Sequence, residues 1–172
     1  MRVVAGELGG RKLVSPEGLA TRPTTDRVRE AVFNALGSAG WLDGALVADL
    51  FAGTGAIGIE ALSRGAEHCT FVERDRAALA ALDENIATLG IEDRTRVIRS
   101  DAMQAATTLD VDVLFADPPY DFSGWETLLS TVRADVVIAE SGRAVEAIDG
   151  WSVLRARRYG RAWVTFLERD AH

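Results

Sequence analysis

The strongest constraint in this chain is a series of short apolar runs, each ending on a carboxylate and separated from the next by a helix-length stretch. Leu46–Leu50 runs through Asp49 into a glycine-rich turn, Cys69–Val72 is followed by Glu73, Val97–Ile98 leads to Asp101, and Val111–Ala116 leads to Asp117. A further apolar run spans Val136–Ala139. Between them, Ile57–Ser63 ending near Gly65, and Ala77–Leu89 stopped by Gly90, have the length and breakers of helices. Continuous apolar strands alternating with helices predict a parallel sheet covered on both faces, a doubly wound α/β fold. Trp151–Arg157 and Ala162–Leu167, joined by a turn at Tyr159-Gly160, predict a closing hairpin whose last strand is antiparallel.

Ahead of this core (residues 41–172), residues 1–40 predict an extension: a glycine-punctuated hairpin over 1–20, then a helix after Pro23. Thr24 or Thr25 can cap that helix, Val28, Ala31, Val32, Ala35 and Leu36 give it an apolar face, and Gly37 is a natural stop. A length of 172 residues suits one domain spanning the chain. The first residues lack the apolar stretch of a signal peptide, and every apolar run is far below the ~20 residues of a membrane span, so a cytoplasmic protein is expected. One cysteine and two histidines make a poor metal set, and no metal is expected. Cys69 reads as a small buried hydrophobe, His68 as a strand-start surface residue, and Trp125, Trp151 and Trp163 as packing residues.

The turn contains Gly53, Gly55 and Gly58 in a Gly-x-Gly-x-x-Gly pattern, with Glu73 twenty residues beyond Gly53. That spacing fits a dinucleotide, because glycines let a ligand approach the backbone. The carboxylates favour another ligand. A pyrophosphate wants amides and positive charge, whereas Asp49 and Asp117 supply negative charge. S-adenosylmethionine carries a sulfonium and an ammonium, which acids suit. Glu73 can accept from a ribose diol, and Asp101 from an adenine amino group with the Ala102 amide facing the ring. Acids at strand ends can also act simply as helix caps, and that reading stays open.

Asp117-Pro118-Pro119-Tyr120 follows the fourth strand. The prolines stiffen the turn and present the Pro118 carbonyl. An exocyclic amine on a nucleobase is planar with a delocalised lone pair. The Asp117 carboxylate and the Pro118 carbonyl can bind its two N–H groups and turn the lone pair toward a methyl donor, while Tyr120 offers a face for stacking the base.

Net charge is −7, but it is unevenly spread. Residues 1–30 hold six basic against four acidic side chains, and Arg155, Arg157, Arg158 and Arg161 fall within seven residues. These ends can meet phosphates or be ordinary solvated surface.

Thr21-Arg22-Pro23-Thr24-Thr25-Asp26-Arg27-Val28-Arg29-Glu30, Asp49 to Gly55, Phe71-Val72-Glu73-Arg74-Asp75 and Asp117 to Tyr120 together resemble the RsmD family, from Arg2-Val3-Val4-Ala5-Gly6 to Tyr159-Gly160. The resemblance implies a Rossmann-like class I methyltransferase that modifies guanine N2 in small-subunit (16S) ribosomal RNA. It implies S-adenosylmethionine held by Asp49, Phe51, Gly53, Thr54, Gly55, Glu73, Asp101 and Ala102, with Asp117, Pro118 and Tyr120 at the amine. It also implies that the N-terminal extension engages RNA; the expected contacts are Arg22, Thr24, Thr25, Arg27 and Arg29, with Arg155 and Arg157 from the basic end. A monomer acting on a partly assembled subunit is expected, since the acidity fits RNA already covered by ribosomal proteins. The segment from Tyr120 to Val136 is short for the family. The competing acceptors are adenine in DNA and a protein glutamine; enzymes of the first kind carry a recognition domain, and those of the second resemble Asn-Pro-Pro-Tyr. A nicotinamide-binding protein is the remaining alternative.

Overall fold

The computed structural model describes residues 1–16 and 23–171. Seven strands, β1 (Leu46–Leu50), β2 (His68–Glu73), β3 (Thr95–Arg99), β4 (Asp110–Ala116), β5 (Arg133–Ser141), β6 (Trp151–Tyr159) and β7 (Ala162–Arg169), form one sheet in the order β3-β2-β1-β4-β5-β7-β6. β1 to β5 run parallel, and β7 inserts antiparallel between β5 and β6. The expected doubly wound sheet with an antiparallel closing strand is the one observed. Its order reverses at β1 and β4, which opens a crevice above their carboxyl ends.

Helices α1 (Pro23–Ala39), α2 (Ala56–Ser63) and α3 (Arg76–Leu89) cover one face; α4 (Ala102–Ala106) and α5 (Trp125–Thr131) cover the other. Strand alternation feeds both layers. Val113 and Phe115 pack with α1 and α2, while Leu114 and Ala116 pack with α4 and α5. α4 and α5 are too short to leave a readable period, and the sequence pattern does not show them.

Two expectations need correction. α1 does not stop at Gly37. Burial of Val28, Val32, Phe33 and Leu36 carries it to Ala39, and the chain reverses at Gly40 (φ 76°), where Trp41 N donates to Leu36 O at 3.2 Å. The N-terminal hairpin is reduced to an antiparallel arm with one bridge, Arg2 to Lys12, and a few backbone bonds such as Gly10 N to Val3 O at 2.8 Å.

What holds this arm is the side-chain set of α2 and α3. Glu60, fully buried, accepts from Val4 N (2.8 Å) and Ala5 N (3.1 Å). Ser63 Oγ accepts from Leu8 N, and a Cβ on Gly6 would lie 2.0 Å from Ser63 O. Asn85 bonds both the amide and the carbonyl of Val14 and donates to Thr54 O, tying arm to glycine turn. Among the described residues no helix is long and apolar enough to cross a membrane.

The Glu60 charge is met by Arg64 (2.8 Å) and Arg29 (3.6 Å). Glu60→Ala therefore strands a buried guanidinium and two backbone amides, and should cost about 3–5 kcal/mol in urea unfolding. A loss below ~1 kcal/mol would show that the arm is anchored elsewhere.

Candidate active site

β1 delivers the chain into the turn under strain. Phe51 holds φ 64°, unusual for a residue with a side chain, followed by Gly53 at 58° and Gly55 at 87°. Asp49, 2% exposed, accepts from Gly58 N at 2.9 Å and so pins the first turn of α2. Gly58 and Gly55 are packing glycines: a Cβ would come within 2.4 Å of Phe71 at the first and of Leu82 at the second. Gly53 differs, with nothing within 4 Å of where its Cβ would be, so its outer side is open to a ligand.

Glu73 ends β2 beside this opening. Its Oε1 accepts from Gly53 N (2.8 Å), and its Oε2 from Arg74 N (2.7 Å) and Asp75 N (2.8 Å). One acceptor direction on Oε1 stays available. Asp101 accepts from Met103 N and Gln104 N, which makes it the N-cap of α4, and its other oxygen lies 3.4 Å from Arg74. The helix-cap reading of strand-end acids therefore holds for one of Asp101's tasks. Ala102 is buried beside it, as is Thr54 in the turn. Edge-to-face rings of Phe51, Phe122 and Trp125, with centroids 5.5 and 5.1 Å apart, wall the crevice on this side.

Beyond β4 the Asp-Pro-Pro-Tyr turn is closed by Phe122 N donating to Pro119 O at 2.9 Å. Pro118 is buried and Tyr120 is 63% exposed, its ring free to stack. Asp117 is open to solvent at the mouth of a cavity of about 60 Å³ beneath α1, although protein surrounds most of its carboxyl. That partial desolvation raises its pKa to about 6. Burial pushes Asp49 well above the usual carboxylate range, against the lowering effect of Gly58 N–H, with the charges of Asp117 and Glu73 raising it further. Asp49, Glu73, Asp101 and Asp117 thus share one edge of the sheet with a fifth acid, Glu140, the penultimate residue of β5, which the sequence reading does not include; burial, then the Asp117 charge, lift it to about 7. The rule that found the other acids would have found Glu140, since it too follows an apolar run. Cys69 is buried, as expected, its thiol raised by burial and by Asp49.

The proposed RNA-contacting residues divide. Arg22 lies outside the described residues, as do the side chains of Thr24 and Thr25, whose backbone begins α1. Arg27 is exposed. Arg29 must be withdrawn as a phosphate contact: it is 4% exposed, pairs with Asp26 and Glu60, and donates to Arg2 O. Helical phase explains this, because Arg29 follows Val28 and falls on the α1 face turned to α2. Arg157 is exposed and Arg155 half-buried with its guanidinium 6.0 Å from the Phe166 ring. They pair in register with Val164 and Phe166, of which Val164 lines the cavity.

This geometry has close relatives. Residues 1–168 match the family described as conserved hypothetical protein 95. Ribosomal RNA small subunit methyltransferase D of Escherichia coli (strain K12) is 34% identical over 99% of this chain and 91% of its own. A Bacillus subtilis relative is 41% identical over 87% of this chain and 83% of its own. The chain belongs to the RsmD family. A solved Escherichia coli structure, 37% identical, superposes with a TM-score of 0.86 over 100% of this chain and 99% of that one.

In this RsmD-family site the raised Asp117 has a stability consequence. The folded state favours the neutral acid, so the group supports folding below its unfolded pKa of ~3.9, and that support fades as pH rises through about 6. Asp117→Asn should match wild type near pH 4 and melt ~1–4 °C higher at pH 8. Equal melting temperatures at pH 8 would mean the carboxyl is ordinarily solvated.

Proposed function

We propose that this protein methylates the exocyclic N2 amine of a guanine in small-subunit (16S) ribosomal RNA, using S-adenosylmethionine. The observation that carries this reading is the meeting, in one crevice, of an open glycine turn, a ring of strand-end acids and the Asp-Pro-Pro-Tyr turn. The site fits the donor: the turn leaves Gly53 approachable, Glu73 retains an acceptor for a ribose hydroxyl, and Asp49 acts through the turn it pins. The same acids oppose a pyrophosphate, which disfavours nicotinamide binding. S-adenosylmethionine supplies an electrophilic methyl group when bound.

The protein's own groups do the rest. Asp117 and the Pro118 carbonyl accept from the two N–H groups of the amine and aim its lone pair. Tyr120 stacks the extruded base. Once methylated, the nitrogen would shed a proton to Asp117. An acid held near pH 6 is ionised at neutral pH and ready to take it. Arg27, Arg155 and Arg157 are the proposed phosphate contacts. Net charge of −7 favours RNA already dressed by ribosomal proteins in the bacterial cytoplasm over naked RNA.

The test is transfer of labelled methyl to small subunits, naked ribosomal RNA and DNA from cells lacking the enzyme. Subunit guanine should be labelled, Asp117→Ala should cost on the order of 10²–10³ in rate, and kcat/KM should fall as pH drops through about 6. Labelling of DNA alone would overturn the reading. Glu73→Ala should weaken S-adenosylhomocysteine by about 1.5–3 kcal/mol in calorimetry. Undiminished affinity would place the ribose elsewhere.

A further inference from the structure

Ala116 of β4 pairs in register with Ala139 of β5, so the next residues, Asp117 and Glu140, stand side by side on neighbouring strand ends. Phe115 and Ile138 point to the α1 layer, and two positions on, so do both carboxylates. They line one cavity, most of whose other walls are apolar, including Val32, Ile57, Ile138 and Val164. A third polar side chain lines it: Arg29, whose Nη1 is buried and has no hydrogen-bond partner among the described residues. The polar inventory of the cavity is thus two carboxylates and one guanidinium with an open N–H.

Glu140 is idle in the reaction outlined above. Its carboxyl makes no ion pair within 4 Å among the described residues, and it is placed beside a second acid at a cost in desolvation. An acid so placed is accounted for when a ligand brings N–H donors to it. Guanine presents O6 as an acceptor and N1–H and N2–H as donors along one edge. Two adjacent carboxylates and an unfilled guanidinium N–H match that set in number and polarity. Adenine would turn the bare lone pair of its N1 toward a carboxylate, and a buried mismatch of that kind is rejected strongly.

We propose that Glu140 reads the target base, accepting N1–H of guanine while Asp117 accepts from the N2 amine, so that the pair selects guanine over adenine. This deepens the guanine-N2 reading and rests on it. Glu140 is a specificity group for the flipped base, and phosphate contacts elsewhere set the affinity for the subunit. Its loss should therefore appear in kcat more than in KM.

The experiment compares wild type, Glu140→Gln and Glu140→Asp on small ribosomal subunits from cells lacking the enzyme, with labelled S-adenosylmethionine. Wild type must place label on guanine N2; if it does not, the guanine reading fails and this inference with it. Given that label, Glu140→Gln should lower kcat ~30-fold or more, in line with loss of a charged acceptor for a buried N–H. KM for subunits and the calorimetric affinity for S-adenosylhomocysteine should stay within about threefold, well under one such hydrogen bond. Its melting temperature at pH 8 should equal or exceed that of wild type, which a scaffold residue would not allow. Glu140→Asp, keeping the charge, should recover part of kcat, and decides the matter if the glutamine variant does not fold. A Glu140→Gln enzyme with kcat within threefold of wild type, or a kcat loss accompanied by a lower melting temperature and weaker S-adenosylhomocysteine binding, would overturn the proposal.

Discussion

Everything at the working edge of this protein depends on how it holds negative charge out of water. Asp49, Glu73, Asp117 and Glu140 lie at the ends of adjacent strands, and burial, joined at Asp49 and Glu140 by neighbouring charges, pushes three of them toward their neutral forms. Backbone amides bear part of that load. Gly58 donates to Asp49, and the amides of Gly53, Arg74 and Asp75 donate to Glu73. Each such bond also shapes the crevice, because the amide lies in the turn or loop that a ligand would touch. The electrostatic load and the geometry of the turn are one device. Asp117 and Glu140 receive no comparable relief, which makes them the sites where an incoming cation or N–H donor gains most.

A second buried charge cluster lies in the same helix layer and adjoins the cavity through Arg29. Glu60 gathers two arm amides and two arginines, and Ser63 adds Leu8 N and Ala5 O. The arm has almost no regular structure of its own, so its position is borrowed from α2. Asn85 extends the connection to Thr54 in the glycine turn. Elements expected to meet RNA are thereby joined to the glycine turn by hydrogen bonds of defined partners.

The strain at Phe51 belongs to the same economy of placement. A left-handed backbone there turns the chain sharply enough to bring Gly53 beside Glu73, and it aims the Phe51 ring at Phe122. Phe122 and Trp125 come from a segment without a readable pattern, so no spacing rule pointed to this aromatic wall. Only the fold brings it to the β1 turn.

Much of the architecture is local and was legible as such. Apolar runs of strand length, helices stopped by Gly65 and Gly90, and the glycine turn are written in neighbouring residues, because strand and helix periods are short-range properties. The acids Asp49, Glu73, Asp101 and Asp117 were legible for the same reason, each being the residue at or just past a strand. Tertiary structure alone decided which side chains share an environment. It buried Arg29 against Glu60, from another helix, although its neighbour Arg27 stays exposed. It left the hairpin as an arm with one bridge, several of whose amides bond to side chains of α2. It also set Glu140 beside Asp117, through a register between strands twenty-three residues apart in sequence. No local pattern encodes that adjacency, which arises only when the sheet closes.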